Sequence, residues 1–117
     1  MTEPLKTFKR FDVVVVAFPF TDKKNSKNRP AVVISSSKSF NDKIDHSILA
    51  MITSSEHSDW PLDTELIQLE KAGLTKASKV RFKLFTLDHV LMKSKIGHLG
   101  TEDIKNLRKN LAKLFRL

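Results

Sequence analysis

FDVVVVAFPFTDKKNSKNRPAVVIS, residues Phe11 to Ser35, is the stretch on which the architecture turns. Val13, Val14, Val15 and Val16 form a β-branched run too short to stand as a helix, so a buried strand is predicted from Phe11 to Phe18. Pro19 ends it. Thr21 to Asn28 is polar and lysine-bearing, the composition of a loop. Arg29-Pro30 then opens a second strand, Ala31 to Ser35, because a proline at a strand start removes no ladder hydrogen bond. Two strands joined by a polar loop make a hairpin, which brings Phe20 and Arg29 near one another.

Outward from this hairpin the chain runs on in short apolar segments. Ser36 to Ser47 is an irregular crossover with one helical turn around Ser39 to Lys43. Ile48 to Ile52 is a third strand, closed by Thr53-Ser54-Ser55. Glu56 to Pro61 is a loop carrying the only tryptophan, Trp60. Thr64 to Leu69 and Lys79 to Leu87 have strand-like patterns, separated by a turn at Lys71 to Thr75 that holds Gly73. Lys95 to Leu99 is a last short strand.

The C-terminus differs in kind. Ile104, Leu107, Leu111 and Leu114 recur at spacings of three and four, one apolar face of an amphipathic helix. Thr101 is the expected N-cap, Glu102 and Asp103 complement the positive helix end, and Lys113 and Arg116 the negative one. The opposite face, with Lys105, Arg108 and Lys109, is expected to be solvated. The fold class predicted is mainly β with a C-terminal α-helix, a compact half-open barrel with the helix packed on it. No repeat or composition break divides the chain, so residues 1–117 read as a single domain with 1–10 flexible.

Composition narrows the function. With 40% apolar residues a real core is available, and with no cysteine the chain has no disulfide, thiolate nucleophile or Cys-type zinc site. No stretch approaches the roughly 18 to 20 apolar residues that cross a bilayer, and the polar N-terminus lacks a secretory signal. A cytoplasmic protein with no membrane contact is the expectation. The formal charge of +8 favours a polyanionic partner, nucleic acid first, although a generally lysine-rich surface would carry the same charge.

Cleavage of an RNA phosphodiester by its own 2′-hydroxyl needs a proton acceptor, a proton donor for the leaving oxygen, and charge stabilisation of the phosphorane. The nucleophile is already tethered, so neither metal nor cofactor is required. Arginine suits the stabilising role, being always cationic with a fork that matches phosphate oxygens, and a Ser or Thr hydroxyl adds a neutral contact. Arg29, before the second strand, and Thr53-Ser54, after the third, supply such groups at strand ends. On their own these residues are ordinary turn components. His46, His57, His89 and His98 lie in separate segments without ligand spacing, so no metal site is predicted. His57 falls nearest Thr53 but reads as a solvated loop histidine.

Beyond these readings, the chain resembles the MazF/PemK toxin family over nearly its whole length after the first ten residues. Phe11 to Ser35 is similar to the family's G-D strand, polar loop, R-P and apolar strand. Leu49 to Ser55 (LAMITSS) resembles its I/V-T-S element. Ala72 to Asp88 resembles its last central strands, and Lys95 to Phe115 its closing strand and helix. Four motifs in the right order are specific where no single one is. The resemblance implies a compact SH3-like half-open barrel of the CcdB/MazF type, and a homodimer restrained by a cognate acidic antitoxin. The implied activity is sequence-selective cleavage of single-stranded RNA to 2′,3′-cyclic phosphate and 5′-hydroxyl ends.

Carried onto this chain, the resemblance makes Arg29 and Thr53 catalytic. Phe20, Thr21, Lys24, Lys27, Asn28, Ser54, Ser55, Arg81 and Lys83 become the expected RNA contacts. Two departures stand out. Phe11 replaces the glycine of the G-D pair, and Lys83 stands where some members carry an acidic residue two positions after the V-R arginine. The second leaves the general base unassigned. It also keeps open a catalytically impaired RNA-binding module, beside a CcdB-like gyrase poison that binds without cutting.

Overall fold

The computed structural model describes residues 7–17 and 28–116. Among the described residues six antiparallel strands form one sheet that does not close on itself: β1 (Asp12–Ala17), β2 (Asn28–Val33), β3 (His46–Ser54), β4 (Thr64–Glu65), β5 (Ser78–Asp88) and β6 (Met92–His98), in the spatial order β4-β5-β3-β2-β1-β6. A wide helical turn, Ser37–Asn41, leads into α1 (Asp42–Ile44); α2 (Leu69–Ala72) lies between β4 and β5, and α3 (Thr101–Phe115) closes the chain.

The β1–β2 hairpin predicted from the valine run is present, with Val13 opposite Val32 and Val16 opposite Arg29. Strand alternation sorts these runs onto two faces. Val13, Val32, Ala50, Ile52, Val80 and Phe82 pack in one cluster with Leu107 of α3. Val14, Val16, Ala31, Val33 and Leu49 form a second cluster on the other face, with Phe8 and Met92. Phe8 lies within the segment expected to be flexible, yet it is buried there. On β5 two residues, Phe82 and Lys83, are inserted between the Arg81↔Met51 and Leu84↔Ala50 pairs. An insertion of two bends the strand without changing which residues face which side.

Phe11 adopts φ +75°, the left-handed conformation that a glycine in its place would take without strain. Its ring is buried in the helix-side cluster and carries the Arg108 guanidinium 5.2 Å above it. Asp12, beside it, is buried and bonded to His98 Nδ1 at 2.8 Å and to the Lys9 N–H at 2.8 Å, with Lys95 Nζ 3.4 Å away. This polar knot ties β1 to β6.

Two local expectations are replaced by tertiary contacts. Thr101 is the first helical residue of α3 and not its cap; Gly100 occupies the cap position, and Gln68 Oε1 accepts the Glu102 N–H at 3.0 Å. The strand predicted at Thr64 to Leu69 is only two residues long. Beyond it Asp103, fully buried, accepts the N–H groups of Ile67 and Gln68, both at 2.9 Å, which turns the chain into α2.

Candidate active site

Thr53 is the penultimate residue of β3 and Arg29 the second of β2. The β2–β3 ladder runs from Val33↔Leu49 to Ala31↔Met51. Extending that register by two residues sets Arg29 level with Thr53, and alternation turns both side chains to the face of Ala31 and Met51. This face lies away from α3. Arg29 Nε is buried and, among the described residues, has no hydrogen-bond partner. A charged donor without a partner is rare enough inside a protein to ask what it is kept for.

Across β3 the same face receives cations from β5, since Met51 pairs with Arg81 and Thr53 with Lys79. The segment between β3 and β4 folds back over them. Lys79 Nζ donates to the His57 carbonyl at 2.8 Å and lies 3.4 Å from Asp63. Arg81 holds Asp63 through Nη2 at 2.9 Å and Nε at 3.3 Å, and its Nη2 also donates to the Ser58 carbonyl. The Trp60 ring lies beneath both Arg81, at 5.5 Å, and Lys83, at 5.1 Å, a cation–π stack. Burial alone would raise the Asp63 pKa, but the hydrogen bonds from Arg81, Trp60 and Lys79 and the Arg81 charge outweigh it and hold the carboxyl below its ordinary value. The Asp63 hydrogen bond in turn raises the Arg81 pKa against the opposing effect of burial.

This anchoring fixes a tight turn at the end of β3. The His57 N–H donates to the Ser54 carbonyl at 3.1 Å, and the Glu56 N–H to Ser54 Oγ at 3.3 Å. The turn carries the His57 ring back onto Thr53, with Nδ1 2.6 Å from Oγ1. Thr53 is 4% exposed, whereas His57 is open to solvent. The histidine read from sequence as a solvated loop residue is therefore bonded to one of the two expected catalytic side chains. A four-residue spacing from Thr53 to His57 around two serines was the available signal, and it has no meaning until the turn is known.

The remaining expected contacts separate. Ser54 alternates to the helix-side face, and Ser55 Oγ is bonded to Glu65 at 2.8 Å. Asn28 is exposed at the start of β2, opposite Ala17. Arg81 is engaged by Asp63 and Ser58, and Lys83 lies on Trp60. Phe20, Thr21, Lys24 and Lys27 fall outside the described residues. A groove of about 430 Å³ lies on the helix side among Phe11, Ile34, Leu84, Arg108 and Phe115. It is lined by apolar groups and two arginines, and the Thr53 face offers the chemistry that it lacks.

A family model described as PemK-like, MazF-like toxin of type II toxin-antitoxin system matches residues 9–115. The chain belongs to the PemK/MazF toxin family. Among solved structures with the fold of this PemK/MazF chain, an endoribonuclease in complex with its cognate antitoxin, from a mycobacterial species, superposes with a TM-score of 0.75. It is 12% identical, over 95% of this chain and 97% of that one. MazF from Deinococcus radiodurans superposes with a TM-score of 0.71 at 16% identity, covering 96% and 99% of the two chains. A MazE–MazF complex from the same organism gives 0.73 at 16% identity over the same shares. No curated protein matches the chain in sequence. At these identities the superpositions speak for the fold, and the family for a toxin of a toxin–antitoxin system.

Proposed function

We propose that this chain is a cytoplasmic endoribonuclease toxin that cuts single-stranded RNA by intramolecular attack of the 2′-hydroxyl, leaving 2′,3′-cyclic phosphate and 5′-hydroxyl ends. The observation that carries this reading is the buried Nε of Arg29, unengaged among the described residues; continuing the β2–β3 register two residues past Ala31↔Met51 would bring Thr53 level with it. A guanidinium there stabilises the charge that gathers on the phosphorane oxygens. Thr53 anchors the floor of the same site. The tethered nucleophile makes a metal unnecessary in this chemistry.

A homodimer and a cognate acidic antitoxin are part of the proposal. Structures of the same fold are complexes of toxin with antitoxin, and a chain of charge +8 is complementary to an acidic inhibitor.

Purified protein incubated with long single-stranded RNA in EDTA tests the reading, beside folded Arg29→Ala and Thr53→Ala variants. Discrete cuts that fall by about 10²-fold or more with either substitution are expected. RNA retained without cuts would replace the enzyme with a binding module. Gyrase inhibition without any effect on RNA would replace it with a poison.

A further inference from the structure

Lys83 leaves the reaction without the acidic proton acceptor that the resemblance suggests, and the structure offers another group. We infer that His57 is the general base: Thr53 Oγ1 accepts the imidazole Nδ1–H, and Nε2 is left as a free lone pair facing the RNA 2′-hydroxyl. The inference rests on the ribonuclease reading above and assigns the base within it.

Three observations support the assignment. The Nδ1–Oγ1 distance of 2.6 Å is a close hydrogen bond, and an orienting partner on one ring nitrogen is what fixes the other for proton transfer. Thr53 is too buried, at 4% exposure, to be the main contact with a polymer, while the ring that covers it is exposed. The backbone of His57 is held on both sides, by the Ser54 carbonyl at its N–H and by the buried Lys79 ammonium at its carbonyl, so the ring is presented from a fixed turn. The charged groups in and around that turn are Glu56, next to the histidine, Glu65, bonded to Ser55, and Lys79, Asp59 and Asp63, with Arg81 behind Asp63 and Arg29 along the sheet face.

In the step, Nε2 takes the 2′-hydroxyl proton as the O2′–P bond forms. The P–O5′ bond breaks, and the 5′-oxygen leaves with its electron pair and takes a proton from water. The imidazolium then returns its proton to the hydroxide so formed, which restores the site. Arg29 carries the phosphorane charge throughout, and Thr53 is a positioning residue acting through the imidazole.

The test compares wild type, His57→Ala, His57→Gln and Arg29→Ala, with folding checked by circular dichroism, for cleavage of single-stranded RNA in EDTA across pH. His57→Ala and His57→Gln are expected to lose about 10²-fold or more in rate. The acid limb of the wild-type profile should vanish with either substitution, and added imidazole should restore part of the His57→Ala activity. Glutamine keeps a polar contact with Thr53 but cannot take up a proton, so a merely structural histidine would leave His57→Gln active. Independently of activity, long-range proton–nitrogen NMR correlation of the free protein should show His57 with its proton on Nδ1, and Thr53→Val should disturb that tautomer. Wild-type rate and pH profile in His57→Ala, with Arg29→Ala inactive, would overturn the base assignment and leave the ribonuclease intact; so would a neutral ring protonated on Nε2. Absence of EDTA-resistant cleavage by folded wild type would take down both.

Discussion

The buried ammonium of Lys79 donates to the carbonyl oxygen of His57, 2.8 Å away, and so ties the middle of the sheet to the turn beside Thr53. The two residues are far apart in sequence and lie on different strands' worth of structure, yet this contact decides how the imidazole is presented. Its second partner, Asp63, is nearly buried as well, while Asp59 is fully exposed and contributes little through a screened pair.

Replacing Lys79 by methionine keeps the apolar stem and removes the donor. Asp63 retains Arg81, so no buried carboxylate is stranded. The loss expected is about 1–3 kcal/mol, typical for a hydrogen bond to a charged group, read as a lower urea midpoint. Amide exchange should quicken in residues 55–63 and stay unchanged in α3.

Phe11 sets strain against burial. Phe11→Gly removes a left-handed penalty of about 1–2 kcal/mol but deletes a core ring worth about 3–5 kcal/mol. Burial wins, and the variant should be less stable than wild type. Phe11→Ala loses the same ring and keeps the strain, so it should unfold at lower urea than Phe11→Gly. The reverse order would show that the strain at φ +75° is smaller than the roughly 0.5–1 kcal/mol that glycine's backbone freedom costs.

His89 gives the fold an acid sensitivity. It is buried, with Nε2 2.7 Å from Ser47 Oγ and the Phe8 ring edge-on at 4.8 Å. Burial lowers its pKa, against Asp45 and Asp88, which raise it, and with His46 adding to the lowering. The unfolded chain therefore takes this proton first. Stability from the neutral ring is whole above the unfolded value of about 6.5 and is lost as pH falls from there toward the lower folded value. The urea midpoint of wild type should drop between pH about 7 and about 5, and His89→Gln should flatten that slope.

Much of the scaffold was legible from periodicity. The valine run and the Ile48 to Ile52 segment are local signals, and β1 and β3 lie where they point, whereas β2 is Asn28–Val33, with Arg29 and Pro30 paired inside it and not ahead of a strand from Ala31 to Ser35. The helix over Ile104 to Leu114 follows from its spacing, although Leu114 is left exposed near its C-terminal end. What sequence reading missed depends on distant partners. Asp103 captures the Ile67 and Gln68 N–H groups from another element, which no pattern within Thr64 to Leu69 reveals. Gln68 caps α3 across a similar gap in sequence. For the site, Arg29 and Thr53 were suggested by motif, but His57 acquires meaning only through a turn held by Lys79.

The paired insertion of Phe82 and Lys83 in β5 has a consequence for how this protein can change its length. Gaining or losing one residue at that bend would reverse every side chain beyond it, driving Phe85 and Leu87 outward and Thr86 into the interior, unless the odd residue is absorbed as a single-residue bulge, as Ile96 and Lys93 are in β6. Gaining or losing two would only alter the curvature. Length variants at this bend should therefore be accommodated more readily when they differ from the present chain by an even number.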